Sequence, residues 1–218
     1  MPRISRGLSA NSVYHILNRG NGKQKIFHKE HDYKAFIDLM IYAKKRNPIK
    51  IFAYCLMPNH FHLIVMPKKS EELSKFMQWL MTSHVRRYHN HYETSGHVWQ
   101  GRYKSFMIQK DNYLLTAIRY VEGNPVRAGL VRTARDWVWS SHKETISDRY
   151  KLLIDNAPVE LVENWTRYVD ETWVDHDLKK IRESVNRQSP YGDKRWQKIN
   201  AEKYNLMSTI RSRGRPRK

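Results

Sequence analysis

Hydrophobic and polar residues follow two different periods along roughly the first 140 residues of the chain. Short apolar runs with the β-branched content typical of strands occupy residues 13–19, 49–57, 61–66 and 98–109. Apolar residues three and four apart, as in amphipathic helices, occupy residues 31–46, 70–91 and 112–122. The pattern therefore predicts seven elements in the order β, α, β, β, α, β, α.

Turn and cap residues between these segments support the same order. Asn47-Pro48 ends the first predicted helix, Pro58-Asn59 separates two apolar runs as a hairpin, and Asp111 is placed to cap the last helix. Strands alternating with helices around a central hairpin indicate an α+β domain of the ferredoxin-like (RRM-like) type. We expect an antiparallel sheet with helices packed on one of its faces.

The character of the chain changes near residue 140. Beyond it the sequence is polar and contains three tryptophans, and we expect helix over residues 159–186, followed by a break at Ser189-Pro190. The last eight residues are RSRGRPRK. We therefore predict a main domain at residues 1–140, a mainly helical C-terminal extension at 141–210 and a basic DNA-binding tail at 211–218.

The charge of the chain points to a polyanionic partner. It has 40 Lys and Arg residues against 21 Asp and Glu, a formal net charge of +19. The last eight residues supply only five of the positive charges, so the folded body is basic as well. Such an excess attracts nucleic acid. An anionic membrane surface would attract it too, but no apolar or amphipathic anchor is evident, and we expect no membrane partner.

The single cysteine, Cys55, excludes an internal disulfide and a cysteine-rich zinc cluster. It lies in the apolar run IFAYCLM, where a buried thiol is the simplest interpretation. No apolar stretch has the length of a signal peptide core or a spanning helix. We expect a cytoplasmic protein that associates with the nucleoid.

Two histidines form the first candidate site. His60 and His62 are two residues apart on a predicted strand, so both side chains project from the same face and can converge on one ion or phosphate. A His-x-His pair alone is weak evidence, and two hydrogen-bonded structural histidines explain it equally well.

A tyrosine and an asparagine form the second candidate site. Tyr120 and Asn124 are four residues apart and share one helical face. Gly123-Asn124-Pro125 is also an ordinary helix stop, and Tyr113 lies two turns before Tyr120 on about the same face. If the pairs meet, a divalent ion held by two imidazoles and an amide oxygen can polarise a phosphodiester while a tyrosine attacks it.

Four segments carry a resemblance to a known family. NRGNGKQKIF, AYCLMPNHFHLIVMP, GHVWQGRYKS and YLLTAIRYVEGNPVRAGLV together resemble the IS200-like single-tyrosine (HUH) transposases, especially their REP-associated tyrosine transposase branch. The resemblance covers roughly residues 9 to 140. It implies that His60 and His62 bind a metal, that Tyr120 is the nucleophile, and that Asn124 completes the metal site.

The resemblance also implies an activity. The expected protein is a Mg²⁺- or Mn²⁺-dependent endonuclease and strand transferase for single-stranded DNA, which leaves a 5′-phosphotyrosine and a free 3′-hydroxyl. It implies a homodimer and hairpin or repetitive palindromic DNA as substrate. The alternatives are a non-catalytic nucleic-acid-binding module of the same fold and a histidine-based metallohydrolase that activates water.

Other basic residues are expected to contact DNA. The predicted DNA-binding side chains are Arg19, Arg86, Arg87, Arg102, Lys104, Arg127, Arg213 and Arg215. The histidines His84, His89, His91 and His97 are irregularly spaced among cations and aromatics, which favours a solvated, phosphate-facing surface over a metal site. Arg213-Gly214-Arg215-Pro216 resembles an AT-hook core, and a basic tail that binds phosphate without preference explains it equally well.

Overall fold

A four-stranded antiparallel sheet forms the centre of the protein. The computed structural model describes residues 7–147, 149 and 151–211. The elements of the main domain are β1 (Val13–Arg19), α1 (Glu30–Arg46), β2 (Ile49–Met57), β3 (His60–Pro67), α2 (Glu72–Tyr92), β4 (Lys104–Ile108) and α3 (Asn112–Glu122). The strand order is β2-β3-β1-β4. This is the ferredoxin-like arrangement, so the predicted fold class is confirmed.

Both faces of the sheet are covered. In β1, Tyr14 and Ile16 are buried in a core shared with α1 and α2. Val13 and Leu17, which alternate with them, are buried in a second core shared with α3. The expectation that the helices pack on one face is therefore wrong. Because α3 follows β4 and lies against the opposite face, β2 is buried at nearly every position instead of alternating.

The last strand is shorter than its apolar pattern suggests. Residues 98–109 were expected to be extended throughout, but β4 covers only Lys104–Ile108. Before it, Trp99 forms an isolated bridge to Gly20, and Gly101 has a φ of 73°. A positive φ interrupts an extended strand, so the preceding residues form an irregular loop along the end of β1.

The cap of α3 agrees with the sequence. The side chain of Asp111 accepts a hydrogen bond from the backbone N–H of Tyr113 at 2.9 Å. The helix ends at Gly123, and the short helix α4 (Asn124–Arg127) follows directly, with Pro125 in its first turn. The tyrosine, glycine and asparagine segment is therefore a helix end followed by a new helical turn.

The C-terminal extension is helical but more broken than expected. It contains α5 (His142–Thr145), α6 (Trp165–Asp170), α7 (Asp175–Arg187), α8 (Lys194–Lys203) and α9 (Met207–Ile210). The two last helices, after Pro190, are not evident in the sequence pattern. Trp165, Val169 and Trp173 are buried in the same core as α3, so the extension covers the second face of the sheet. In the part of the chain that the structure describes, no helix is both long and apolar enough to cross a membrane.

Candidate metal and tyrosine site

His60 and His62 lie on β3 in the middle of the sheet. His62 pairs with Leu17 of β1 and Cys55 of β2, and His60 pairs with Arg19 and Met57. The centroids of the two histidine rings are 5.0 Å apart, with the ring planes nearly perpendicular. The two-residue period of the strand therefore brings both imidazoles together on the face that α3 covers.

Each of these rings has its Nδ1 atom engaged. His60 Nδ1 is 2.6 Å from Asn59 Oδ1, and His62 Nδ1 is 2.7 Å from His15 Nε2. An amide oxygen can only accept, so His60 Nδ1 carries the proton and His60 Nε2 has a free lone pair. Among the described residues, neither His60 Nε2 nor His62 Nε2 makes a hydrogen bond. The Nε2 atoms are the pair's available ligands.

Burial keeps the two rings neutral. The pKa of His60 falls to about 4, first because burial disfavours the charged ring and second because Arg19 lies nearby. Burial also holds the pKa of His62 well below its usual value, with repulsion from His15 and His60 adding to the effect. Neutral imidazole is the form that binds a metal. At neutral pH the pair is in that form.

Tyr120 lies beside this pair. Its ring centroid is 5.9 Å from that of His62 and 6.0 Å from that of His15, and the side chain is largely buried. Tyr113, the other candidate on α3, packs instead on Tyr191, with ring centroids 5.1 Å apart. Two helical turns separate the candidates by about 10 Å along the axis, so sharing a face does not bring both to one place.

The hydroxyl of Tyr113 is already occupied. It accepts a hydrogen bond from Lys180 Nζ at 2.7 Å, and the same ammonium group lies 4.2 Å from the ring centroid. Tyr113 therefore joins α3 to α7, whereas Tyr120 contacts the histidines.

Arg127 places a positive charge over the ring of Tyr120. Its guanidinium carbon lies 4.3 Å from the centroid of the Tyr120 ring and 5.3 Å from that of Trp173, and it donates to the backbone carbonyl of Tyr120. Burial lowers the pKa of Arg127 to about 10, which leaves it charged at neutral pH. Its Nη1 atom is buried with no hydrogen-bond partner in the described residues.

Asn124 has an amide that the fold does not use. It begins α4, one turn after Tyr120, and its Nδ2 atom is buried without a partner in the described part of the chain. Within residues 7–147, 149 and 151–211, no three His, Cys, Asp or Glu side chains are grouped as a metal site. Asn124 also carries a side-chain oxygen, which is a donor type that divalent metals accept.

Three buried residues near the site were not identified from the sequence. His15 contacts His62, and Glu122, at the end of α3, is fully buried. The signal for each was a polar residue at a position that the apolar pattern assigns to the core. Trp173, whose ring centroid is 6.1 Å from that of Tyr120, lies in the extension and had no local signal.

Three of the predicted DNA-binding cations share one groove. Arg19, Arg102 and Lys104 line a groove of about 310 Å³ together with Asn18 and Gln100. Arg19 is the β1 partner of His60, so the groove begins beside the histidine pair.

The remaining predicted cations have different surroundings. Arg86 and Arg102 line a neighbouring cavity of about 500 Å³ beside Trp99. Arg87 is 3.4 Å from the buried carboxylate of Asp32 and has a structural ion pair. Arg213 and Arg215 lie outside the described residues, as does the AT-hook-like segment.

For His84, one of the four other histidines, the predicted position on a solvated surface is wrong. His84 is fully buried among Phe27, Phe36 and Trp99, and burial lowers its pKa to about 3. It faces the core and not phosphate, because its helical position coincides with the apolar stripe of α2. His89 bonds Thr94 and the carbonyl of Gly96, while His91 and His97 are exposed.

Comparison of the sequence with known protein families gives a match. The family model described as IS200-like transposase matches residues 9–124, more than half of the chain. The chain belongs to the IS200-like transposase family. The match ends at Asn124, so the extension that contributes Trp165 and Trp173 lies beyond it.

Two curated relatives of this family member are named as REP-associated tyrosine transposases. A REP-associated tyrosine transposase from Haemophilus influenzae, named there as putative, is 28% identical over 115 residues, covering 47% of this chain and 65% of the relative. The REP-associated tyrosine transposase of Escherichia coli K12 is 24% identical over 122 residues, covering 55% of this chain and 71% of the relative. The alignment thus spans just under two thirds of the first protein.

A solved structure shares the fold. It is a REP-associated tyrosine transposase bound to a REP hairpin, with a TM-score of 0.58 and 17% identity, and the alignment covers 80% of this chain and 99% of that chain. The fold of this IS200-like transposase therefore extends beyond the segment matched by the family model.

Proposed function

We propose that this REP-associated family member cuts single-stranded DNA and joins it to another strand, using Tyr120 as the nucleophile. The observation that carries the proposal is the position of the Tyr120 ring, 5.9 Å from that of the strand histidine His62. A phenol, two neutral imidazoles and an unpaired amide beside a basic groove suit attack on a phosphodiester.

A divalent metal fits the donor set. His60 and His62 would hold it through Nε2, and the side-chain oxygen of Asn124 would be the third ligand. When bound, Mg²⁺ or Mn²⁺ would polarise a phosphate oxygen and neutralise charge that develops during attack. Imidazole nitrogen suits transition metals better than it suits Mg²⁺, so Mn²⁺ is the more sensitive probe of the site.

The proposed chemical step is attack of Tyr120 on a phosphodiester of the DNA strand. The Tyr120 oxygen loses its proton and bonds to phosphorus, and the bond from phosphorus to the 3′-oxygen breaks. The leaving oxygen takes up a proton, so the products are a 5′-phosphotyrosine and a free 3′-hydroxyl. Arg127, over the Tyr120 ring, places a positive charge beside the reacting groups. Attack by a second 3′-hydroxyl reverses the step and rejoins DNA.

The basic groove provides a path for the strand. Arg19, Arg102 and Lys104 are exposed and line the groove that begins beside His60. None of the described residues that line it is Asp or Glu, so phosphates passing along it would meet positive or neutral groups there. We propose hairpin DNA as the substrate class, by analogy with the hairpin held by the solved relative.

The test is formation of a covalent adduct. Wild-type protein with Mn²⁺ and 3′-labelled single-stranded DNA carrying a REP-type hairpin should give a labelled protein band. Tyr120→Phe removes one hydroxyl and should abolish the band while DNA affinity changes by no more than a few fold. Tyr113→Phe is the matched control on the same helix and should retain the adduct.

Three results would contradict the proposal. Loss of the adduct only in Tyr113→Phe would transfer the nucleophile to that residue. Metal-independent binding with no adduct in the wild type would favour the non-catalytic DNA-binding module, and cleavage that survives both substitutions would favour activated water.

A further inference from the structure

His15 is a buried histidine that touches the proposed metal ligand His62 without being in the metal-binding motif. It lies on β1 between the core residues Val13 and Leu17, is fully buried, and packs on Phe106 with ring centroids 4.9 Å apart. Its Nε2 atom is 2.7 Å from His62 Nδ1. Its Nδ1 atom is buried and makes no hydrogen bond within the described residues.

This contact couples the tautomers of two neutral rings. If His15 Nε2 carries the proton and donates, His62 Nδ1 accepts, and the proton of His62 must lie on Nε2. His62 then has no lone pair for a metal on that atom. If His62 Nδ1 carries the proton and donates, His15 Nε2 accepts, and His62 Nε2 is free to bind. The hydrogen bond itself is present in both arrangements.

The second arrangement has a counterpart at the neighbouring ligand. Asn59 Oδ1 can only accept, so it fixes His60 as the Nδ1-protonated ring with a free Nε2. His15 occupies the same position relative to His62, on the Nδ1 side. Metal-binding histidines usually donate their second N–H to such an acceptor, which orients the ring and raises its basicity. The two ligands would then face the metal through equivalent atoms.

We propose that His15 is a positioning residue that accepts the His62 Nδ1–H and so holds His62 Nε2 as the metal-binding nitrogen. The inference rests on the proposed metal site. His15 acts through His62 and not as a third ligand, because its Nε2 is already engaged and its Nδ1 is enclosed in the core.

Mn²⁺ affinity, measured by titration calorimetry without DNA, tests the proposal independently of cleavage. His15→Phe keeps an aromatic ring but removes the acceptor and should weaken Mn²⁺ binding about 10- to 100-fold. His15→Gln places an amide oxygen near the position of Nε2 and should restore affinity to within a few fold of the wild type. His84→Phe, an equally buried histidine in the other core, is the control and should bind like the wild type.

The tautomer of the wild-type protein provides a second measurement that needs no folded variant. In protein labelled with ¹⁵N at histidine and saturated with diamagnetic Mg²⁺, the His62 resonances should indicate a proton on Nδ1 and none on Nε2. A proton on Nε2 would overturn the proposal even if His15→Phe did not fold.

Mn²⁺ binding by the wild type and the variants distinguishes failure of this inference from failure of the proposed metal site. If the wild type binds Mn²⁺, His62→Ala abolishes binding, and His15→Phe binds as tightly as the wild type, then the metal site stands and the role of His15 does not. If the wild type and His62→Ala both fail to bind Mn²⁺, the metal site itself is wrong and His15 has no ligand to position.

Discussion

The indole Nε1 of Trp165 donates a 2.8 Å hydrogen bond to the carboxylate of Glu122, which joins the C-terminal extension to the helix that carries Tyr120. The same carboxylate is fully buried and accepts three further hydrogen bonds from the extension. These come from Ser141 Oγ at 2.6 Å, His142 Nδ1 at 2.8 Å and Thr145 Oγ1 at 2.5 Å. The end of α3 is therefore held in place by residues beyond the family match.

Replacing Glu122 should destabilise the whole protein. Glu122→Ala removes the acceptor of four hydrogen bonds from the extension, and the donors on Ser141, His142 and Trp165 belong to buried residues. We expect the free energy of unfolding to fall by about 3 to 5 kcal/mol. Urea unfolding followed by tryptophan fluorescence measures this. Glu183→Ala, which removes an exposed carboxylate paired with Arg187, should cost less than about 1 kcal/mol. Similar losses in the two variants would show that the buried network contributes nothing special.

Gly123, which lies between Tyr120 and Asn124 in the sequence, has no room for a side chain. A Cβ atom at this position would lie 2.8 Å from Arg127 Nη1, 3.1 Å from the carbonyl oxygen of Arg119 and 3.3 Å from that of Val169. Its φ of −81° is open to any residue, so the constraint is space and not backbone conformation.

Gly123→Ala should therefore move Arg127 off the Tyr120 ring. We expect a loss of about 1 to 3 kcal/mol in stability from overpacking and slower formation of the covalent DNA adduct. Single-turnover rates measure the second effect. In an Arg127→Met background, which removes the nearest clashing atom, the same substitution should slow the reaction less. Equal effects in both backgrounds would mean that the glycine does not act through Arg127.

Most of the sheet and the shared face of the His pair could be predicted from the sequence, because the alternation of side chains along a strand depends only on neighbouring residues. His60 and His62 had to share a face whatever lay around them. The choice between Tyr113 and Tyr120 was not local, since both lie on about the same side of α3. It depends on where Lys180 and Tyr191, far along the chain, meet that helix.

The errors have similar physical causes. His84 looked like a member of a polar cluster along the sequence, but its helical phase places it in the apolar stripe, where aromatic neighbours enclose it. The segment before β4 has strand-like composition, but the positive φ of Gly101 prevents regular pairing. His15 was read as part of a strand, and only the register between β1 and β3 shows that it meets His62.

Burial of His84 predicts a loss of stability in acid. Its folded pKa of about 3 lies below the ordinary value of 6.5, so below pH 6.5 the unfolded state binds a proton that the folded state does not. The folded state therefore loses stability as pH falls from 6.5 toward 3. Between pH 7 and pH 5 this one group should reduce the free energy of unfolding by about 2 kcal/mol.

His84→Phe tests this sign. The variant should lose about 2 kcal/mol less than the wild type between pH 7 and pH 5, in paired urea titrations. His176→Phe, which replaces an exposed histidine, is the control and should keep the wild-type pH dependence. If the variant has the same acid sensitivity as the wild type, then His84 takes up no additional proton when the protein unfolds in this pH range.

The groove beside His60 predicts a specific dependence of DNA binding on salt. Lys104 lines the groove, whereas Lys198 on α8 is also exposed and does not line it. If Lys104 contacts a phosphate of single-stranded DNA, Lys104→Ala should weaken binding and reduce the slope of log affinity against log salt by about 0.7, the value for one released counterion. Lys198→Ala makes the same change in net charge and should leave the slope unchanged. Fluorescence anisotropy with a labelled oligothymidine at several salt concentrations measures both, and equal slope changes would assign the effect to net charge instead of the groove.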